Sequence, residues 1–266
     1  MIEAEHSQAD RMRRAAPTDD FWQPFAQQFR ADPRRTDDPL LNRLLQEVHP
    51  QHTVLDVGAG GGRMALPVAL HCRHVVAVEP SDSLASVLRQ QADRYGIQNI
   101  SVVHASWADA TVDPADLVLC AHVLYTIREI EFFVRKLEAR AREGVLVVLY
   151  HAPPQSQIYP LWRQIHGEER LPLPSLSEFQ AVLGELSIAA RIDMLPPQVP
   201  RGFDSIQQAT DQLSRRLYLP LGSDQYRTLE RILPDLLEKG DDGIFRIRGA
   251  RPLEPALVWW DPRIGS

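Results

Sequence analysis

Asp56, Gly58, Gly60 and Gly62 stand at alternate positions, and this acid–glycine spacing is where the residue types bear most directly on chemistry. Glycines let the chain turn tightly and let a ligand approach the backbone. They follow an apolar, β-branched run, Thr53-Val54-Leu55-Asp56-Val57, which reads as a buried parallel strand. Residues 64 to 70 are mostly apolar helix formers, so the loop is expected to open a helix whose free N–H groups favour a carboxylate or phosphate. This pattern predicts a nucleotide site between a strand and a helix. A second carboxylate, Glu79, closes the next apolar run, His74-Val75-Val76-Ala77-Val78, 17 residues past Gly62. At the tip of a second strand it is placed to accept hydrogen bonds from a ribose diol.

The glycine spacing separates the candidate ligands. A dinucleotide fold asks for G-x-G-x-x-G, and counting from Gly58 the third glycine position holds Arg63. A P-loop needs Gly-Lys-Ser/Thr, which does not follow. Further along, His122 and Tyr125 come after the apolar run 116–120, and His151 comes after the run 145–150. A histidine at a strand end has an ordinary pKa near working pH and can deprotonate an oxygen or nitrogen nucleophile; the alternative is a hydrogen-bonded structural histidine.

Taken together, the acid–glycine loop, the strand-two acid, Ser106-Trp107 after a third strand, and Asp116-Leu117-Val118-Leu119-Cys120-Ala121-His122-Val123-Leu124 resemble the class I S-adenosylmethionine-dependent methyltransferases, in order and over about the middle half of the chain. The resemblance implies S-adenosylmethionine as cofactor and S-adenosylhomocysteine as product. It assigns Gly58, Ala59 and Gly60 to the edge of the adenosyl-methionine moiety, Asp56 to the methionine amino group and Glu79 to the ribose diol. Pro80 and Ala121 line the same site, with Pro80 beside the adenine. Ser106 stands where the family often has Asp for the adenine amino group, and can accept that bond without charge; Trp107 either stacks on adenine or is a core tryptophan. Methyl transfer is an in-line displacement with a neutral leaving group, so positioning can supply much of the catalysis. His122, Tyr125 and His151 are the catalytic candidates. Cys120-Ala121-His122-Val123 is not the Asn/Asp-Pro-Pro-Tyr signature of enzymes that methylate adenine or glutamine amino groups, and Cys120 reads as an inert strand-end thiol. A small-molecule acceptor methylated at oxygen or nitrogen is expected, with a protein or RNA acceptor, or a non-catalytic cofactor-binding module, as alternatives.

The elements that position these residues follow from hydrophobic period and caps. The expected fold is a Rossmann-like, doubly wound α/β sheet of seven strands, mostly parallel with strand seven antiparallel, with helices on both faces and a helical insertion near the C-terminus. Residues 1–17 read as a mobile tail and 18–48 as a helical extension. There, Phe21, Trp22, Phe25 and Phe29 at helical spacing pack on the core, with lid contacts from Trp22 or Phe25, and Asp38-Pro39 caps a leucine-rich helix. Residues 49–155 form the cofactor-binding core. In it, 81–95 is a helix stopped by Gly96, Thr126-x-x-Glu129 is a capping box for a helix ending near Arg142, and Gly144 turns that helix into strand five. Residues 156–266 supply substrate-side helices at 158–166 and 177–186, strand six at 188–195, an insertion over 196–250 with helices at 204–219 and 223–239, and strand seven at 256–260. Arg34 and Arg35 read as solvated, and His166, Glu168, Glu169 and Arg170 as a solvated loop or a substrate gate.

At 266 residues the chain fits one large α/β domain. No apolar run reaches the length of a membrane span, and the polar start lacks a signal-peptide centre, so a cytoplasmic location is expected. Two cysteines, Cys72 and Cys120, suit a reducing compartment. Cys72 between His71 and His74 matches no zinc spacing, and no metal is expected. A net charge of −6 argues against broad nucleic-acid binding. Oligomeric state is not legible.

Overall fold

The computed structural model describes residues 2–12, 20–199 and 201–264. The chain begins with helix α1 (Ile2–Met12), a 3-10 turn at Ala26–Phe29 and helix α2 (Pro39–Leu45). Strand β1 (Thr53–Val57), α3 (Ala65–Ala69), β2 (His74–Val78), α4 (Asp82–Tyr95), β3 (Ile100–Val103) and β4 (Ala115–Ala121) follow. A 3-10 turn at Leu124–Thr126 leads to α5 (Ile130–Arg140) and β5 (Ala141–Tyr150), then α6 (Tyr159–His166), α7 (Leu176–Glu185) and β6 (Arg191–Met194). The last elements are α8 (Ile206–Arg216), α9 (Asp224–Leu236), β7 (Leu237–Lys239), β8 (Phe245–Ile247) and β9 (Pro255–Trp260). No helix among the described residues is long and apolar enough to cross a membrane.

Two compact units divide the chain, where its length suggested one domain. The first comprises Pro17–His151, Pro174–Pro196 and Pro255–Ser266; the second comprises Met1–Ala16, Ala152–Leu173 and Pro197–Glu254. The division cuts across the expected 156–266 block because β6 and β9 pair onto the sheet, and α7 goes with them through Phe179, whose ring packs against that of Trp260.

In the sheet unit the strand order is β3-β2-β1-β4-β5-β9-β6. Strands β1 to β5 are mutually parallel, and β9 runs antiparallel between β5 and β6, so six strands share one direction and one opposes, as expected. Val54, Leu55, Val118, Leu119 and the stretch Val145 to Leu149 are buried on both faces, which explains why these strands read as continuous apolar runs. The order reverses between β1 and β4, and ligands of such sheets bind beyond the carboxyl ends of the strands at this switch point. Caps fall where the sequence places them. Asp38 accepts from Leu41 N and Ser81 Oγ from Leu84 N, both at 3.2 Å, while Gly96 ends α4 in the left-handed conformation with φ 68°.

Five local expectations fail. Residues 2–12 are helical rather than a tail, and 13–17 lie outside the described residues. The aromatic run 21–29 is a turn and a 3-10 segment, not an α-helix. Glu129 precedes α5 without a side-chain cap, because Ile127 is already extended (ψ 120°) after the Leu124–Thr126 turn. Gly144 lies inside β5, paired with Leu117, where a Cβ would come within 2.9 Å of Trp259 Nε1. A glycine read as a turn is in fact room for an indole. The helix expected over 223–239 ends at Leu236, two residues past the internal Pro234, and β7 pairs with β8 instead.

In the helical unit, Leu161, Trp162, Leu213, Leu217, Leu229 and Leu233 form the core. Glu5 and Gln8 of α1 are buried and clasped by the polar residues after α6. Arg170 donates to the Glu5 carboxylate and, at 2.8 Å, to Gln8 Oε1; Gln8 Nε2 donates to Glu168 Oε1 (2.9 Å) and to the Glu169 carbonyl (2.7 Å). The Arg170 guanidinium lies 4.3 Å from the Trp162 ring centroid, and His166 Nε2 bonds the Leu217 carbonyl at 2.9 Å. The cluster expected as a solvated loop or gate is a structural clasp. Arg170→Ala strands a buried carboxylate, a defect worth about 3–5 kcal/mol unless α1 detaches to hydrate it. Hydrogen exchange should therefore show the amides of residues 2–12 losing protection while those of β1 and β4 keep theirs; unchanged protection would refute the clasp.

Candidate functional site

The glycine loop leaves β1 and turns over the end of β2, with the N–H groups of Gly58 (2.8 Å) and Ala59 (3.1 Å) both donating to the Val78 carbonyl. Gly58, Gly60 and Gly62 all have positive φ, at 74°, 56° and 86°. A Cβ on Gly58 would lie 2.4 Å from Val123 Cγ2, so this glycine is required by space as well as by conformation. At Gly60 a Cβ would meet nothing within 4 Å: the loop faces open space there. Gly62 packs under Leu66 and Leu88, supplying the close helix contact that the dinucleotide spacing would have put at residue 63. The helix expected to offer an anion site is only the five-residue α3, so that contribution is small.

Glu79 is buried and clamps the loop. Its Oε2 accepts from Gly60 N at 2.7 Å and its Oε1 from Ser81 N at 2.8 Å. Burial raises its pKa, opposed by these two N–H groups. Asp20 reaches the same corner, accepting from Ser81 Oγ and Ser83 N at 2.9 Å. Asp56, on β1 directly below the loop, is 1% exposed, and neither carboxylate oxygen has a hydrogen-bond partner among the described residues. Burial, and then the charge of Glu79, push its pKa up to about 7. A buried carboxylate without donors, beside a loop that faces open space, is a receptor for a cation.

Across the loop, Asp38 accepts from Arg35 Nε and from an Arg63 terminal nitrogen, each at 3.1 Å, and Arg35 also donates to the Arg63 carbonyl at 3.0 Å. Arg35, expected to be solvated, therefore ties the segment before α2 to the exit of the glycine loop. Continuing the β1–β4 register, in which Asp56 pairs with Leu119, puts Ala121 level with Gly58 and His122 level with Ala59. His122 has φ 60°, a strained conformation that costs on the order of 1–2 kcal/mol. Its ring stacks on Tyr150 at 4.3 Å, and Nδ1 lies 3.2 Å from Tyr125 Oη, which accepts from Tyr150 N at 2.8 Å. Burial, and then Arg63, push the His122 pKa down to about 3, so the ring is a poor proton acceptor near neutrality. Burial pushes the Tyr125 hydroxyl upward.

The remaining sequence candidates separate. Pro80 is exposed, with its carbonyl accepting from His104 Nε2. Ser106 Oγ is engaged with Asp109, donating to its carboxylate at 2.5 Å and accepting from its N–H at 3.2 Å. Trp107 is 6% exposed; its indole N–H donates to the Phe133 carbonyl and Lys136 lies 4.8 Å over its ring, the surroundings of the core tryptophan that was one of its two readings. His151 is exposed, and no hydrogen bond or ring contact among the described residues joins it to the His122 cluster. Cys120 is fully buried, and burial raises its thiol pKa. No group of three or more His, Cys, Asp or Glu among the described residues could hold a metal ion.

The strand order, the acid–glycine loop at the switch point and the acid ending β2 define the class I methyltransferase fold. Residues 54–144 match the family model for a methyltransferase domain. An uncharacterized methyltransferase of Bacillus subtilis, YcgJ, is 21% identical over 166 residues, 60% of this chain and 65% of that protein. Its crystal structure aligns at TM-score 0.55 with 18% identity, covering 83% of this chain and 97% of that one. The ubiquinone biosynthesis O-methyltransferase of Rhizobium etli is 30% identical over 95 residues (35% of this chain, 38% of that protein). A probable ribosomal RNA small subunit methyltransferase A of Methanosphaera stadtmanae is 32% identical over 69 residues (25% and 26%). The chain thus spans between a quarter and two thirds of the length of these relatives.

The Asp56 pKa has a stability consequence with a definite sign. Its folded value of about 7 lies above the ordinary 3.8, so the folded state holds a proton that the unfolded state has lost, and stability falls as pH rises from about 4 to about 7. Asp56→Asn removes that slope. Urea denaturation should show the variant gaining on the wild type by on the order of 2–4 kcal/mol between pH 4 and 7.5. Parallel stability curves over that range would contradict the buried carboxylate with a raised pKa.

Proposed function

We propose that this protein transfers a methyl group from S-adenosylmethionine to an oxygen or nitrogen of a small-molecule acceptor. The observation that carries the reading is the unpartnered, buried Asp56 carboxylate beneath a glycine loop that faces open space at Gly60. Bound there, S-adenosylmethionine supplies a methyl group on a sulfonium, whose neutral thioether product is S-adenosylhomocysteine. Asp56 meets the ligand's cationic amino end as a carboxylate. Gly58, Ala59 and Gly60 let the ligand lie against the backbone. Glu79 retains lone pairs for the ribose hydroxyls while its bonds to Gly60 and Ser81 keep the loop shaped. Pro80 flanks the adenine, and Ser106 contributes there only by turning from Asp109.

The acceptor approaches the ends of β4 and β5, where Tyr125 and His122 orient it. His151, exposed beyond β5, takes part only by moving toward it. The ubiquinone-pathway relative supports a small acceptor, and two free, buried cysteines suit a cytoplasmic setting. The ribosomal RNA relative favours an RNA acceptor as a second reading, against which stand the net charge of −6 and the Cys120-Ala121-His122-Val123 segment.

Calorimetric titration with S-adenosylmethionine, S-adenosylhomocysteine and NADH tests the reading. Saturable binding of the two sulfur compounds alone is expected; binding of NADH alone would overturn it. Glu79→Ala should weaken that binding by about 1–3 kcal/mol through loss of charge-assisted bonds, and Gly60→Val should abolish it by filling the open space at the loop.

A further inference from the structure

The hydrogen bonds around His122 have a direction. Tyr125 is buried, and its Oη already accepts from the Tyr150 N–H at 2.8 Å. The tyrosine proton needs an acceptor, and the one it has is His122 Nδ1, at 3.2 Å; turned away, it would be a buried donor left unsatisfied. Tyr125 therefore donates to Nδ1, and the imidazole proton resides on Nε2. The ring is held in this orientation by the stack on Tyr150 and by the left-handed backbone at residue 122, level with Ala59 of the glycine loop. Among the described residues nothing accepts from Nε2.

We propose that His122 serves as a hydrogen-bond donor through Nε2–H to an acceptor whose reacting atom is already an anionic oxygen, a carboxylate or a phenol or enol ionised at neutral pH. This rests on the methyltransferase reading and narrows it to acidic oxygen. The chemistry balances without a base: the oxygen lone pair forms the C–O bond, the S–CH3 bond breaks, its electron pair stays on sulfur, and the negative charge of the oxygen cancels the positive charge of the sulfonium. No proton has to leave. A neutral alcohol or protonated amine would need a proton acceptor, which an imidazole already hydrogen-bonded at Nδ1 and protonated at Nε2 does not supply. The charged groups facing the ring agree. Arg63 opposes imidazolium formation and favours an anion nearby, while Asp38, the one group that opposes this, is occupied by Arg35 and Arg63. Tyr125 and Tyr150 remain neutral donors in this arrangement.

Long-range 1H–15N correlation spectra of the histidine rings in the wild-type protein, with and without S-adenosylhomocysteine, test the donor directly. Resonances are assigned by loss in His122→Asn, a residue that tolerates the left-handed backbone. The expected spectrum shows His122 protonated at Nε2 alone, with no titration between pH 8 and pH 5. A proton on Nδ1, or titration with a midpoint near 6.5, would overturn the proposal. The acceptor side is read with S-adenosylmethionine and paired probes, benzoate against benzylamine and 4-nitrophenol against benzyl alcohol. Methyl ester or ether formation from the acidic member of a pair is expected, with kcat for benzoate independent of pH between 6 and 8. N-methylation of the amine with a rate that falls below pH 7, and loses that fall in His122→Asn, would overturn it. Calorimetry keeps the two readings apart: bound S-adenosylhomocysteine with the wrong tautomer refutes this inference alone, and no binding refutes the cofactor assignment beneath it.

Discussion

Asp56 and Glu79 sit at the ends of adjacent parallel strands, both almost without solvent, and the arrangement of the loop above them follows from how differently they are treated. Carboxylates taken out of water cost several kcal/mol each unless donors replace the lost hydration. Glu79 receives two backbone N–H groups, and in receiving them fixes the glycine loop to the start of α4. Asp56 receives none, lies in the field of Glu79, and has its pKa pushed up to about 7 instead. Such a defect persists only because the surrounding packing over-determines it. Leu40, Leu41, Leu44, Val54, Leu88 and Leu119 are all essentially solvent-free, and each contributes about 1.5–3 kcal/mol of apolar burial.

Positive charge is gathered on the other side of the loop. Asp38 caps α2 and at the same time accepts from two arginines, leaving an excess of one positive charge beside His122. Arg63 occupies the place of a dinucleotide-type third glycine without penalty because Gly62 takes over the packing against Leu66 and Leu88. The loop therefore separates a negative floor from a positive wall, an electrostatic shape that suits a zwitterionic ligand below and an anionic one above.

What was legible in the sequence is what depends on local rules. Apolar runs gave the strands, Ser81, Asp38 and Gly96 gave helix ends, and the alternate glycines after an acid gave the loop. What failed depends on partners distant in sequence. Gly144 looked like a turn until Trp259 of β9 came to lie over it. Arg35 carries no pattern, since its partner Arg63 stands 28 residues away, and the Ser81 contact of Asp20 spans 61 residues. His122 was placed correctly at the end of β4, but its pKa is set by burial and Arg63, neither of which position in the chain discloses.

Among the described residues, two non-glycine residues of the sheet unit, His122 and Ser187, have positive φ, and one of them stands at this switch point. Gly58, Gly60 and Gly62 take positive φ at no steric cost, whereas His122 takes it against its own preference and is held there by a stack and a directed hydrogen bond. A side chain held this way does not reorganise when a ligand arrives, which is the condition under which a single hydrogen bond can favour one geometry strongly over its neighbours. The holding bond begins at the Tyr150 N–H, the last residue of β5, and passes through Tyr125 to the ring at the end of β4. The orientation of His122 is thus a property of two strand ends together.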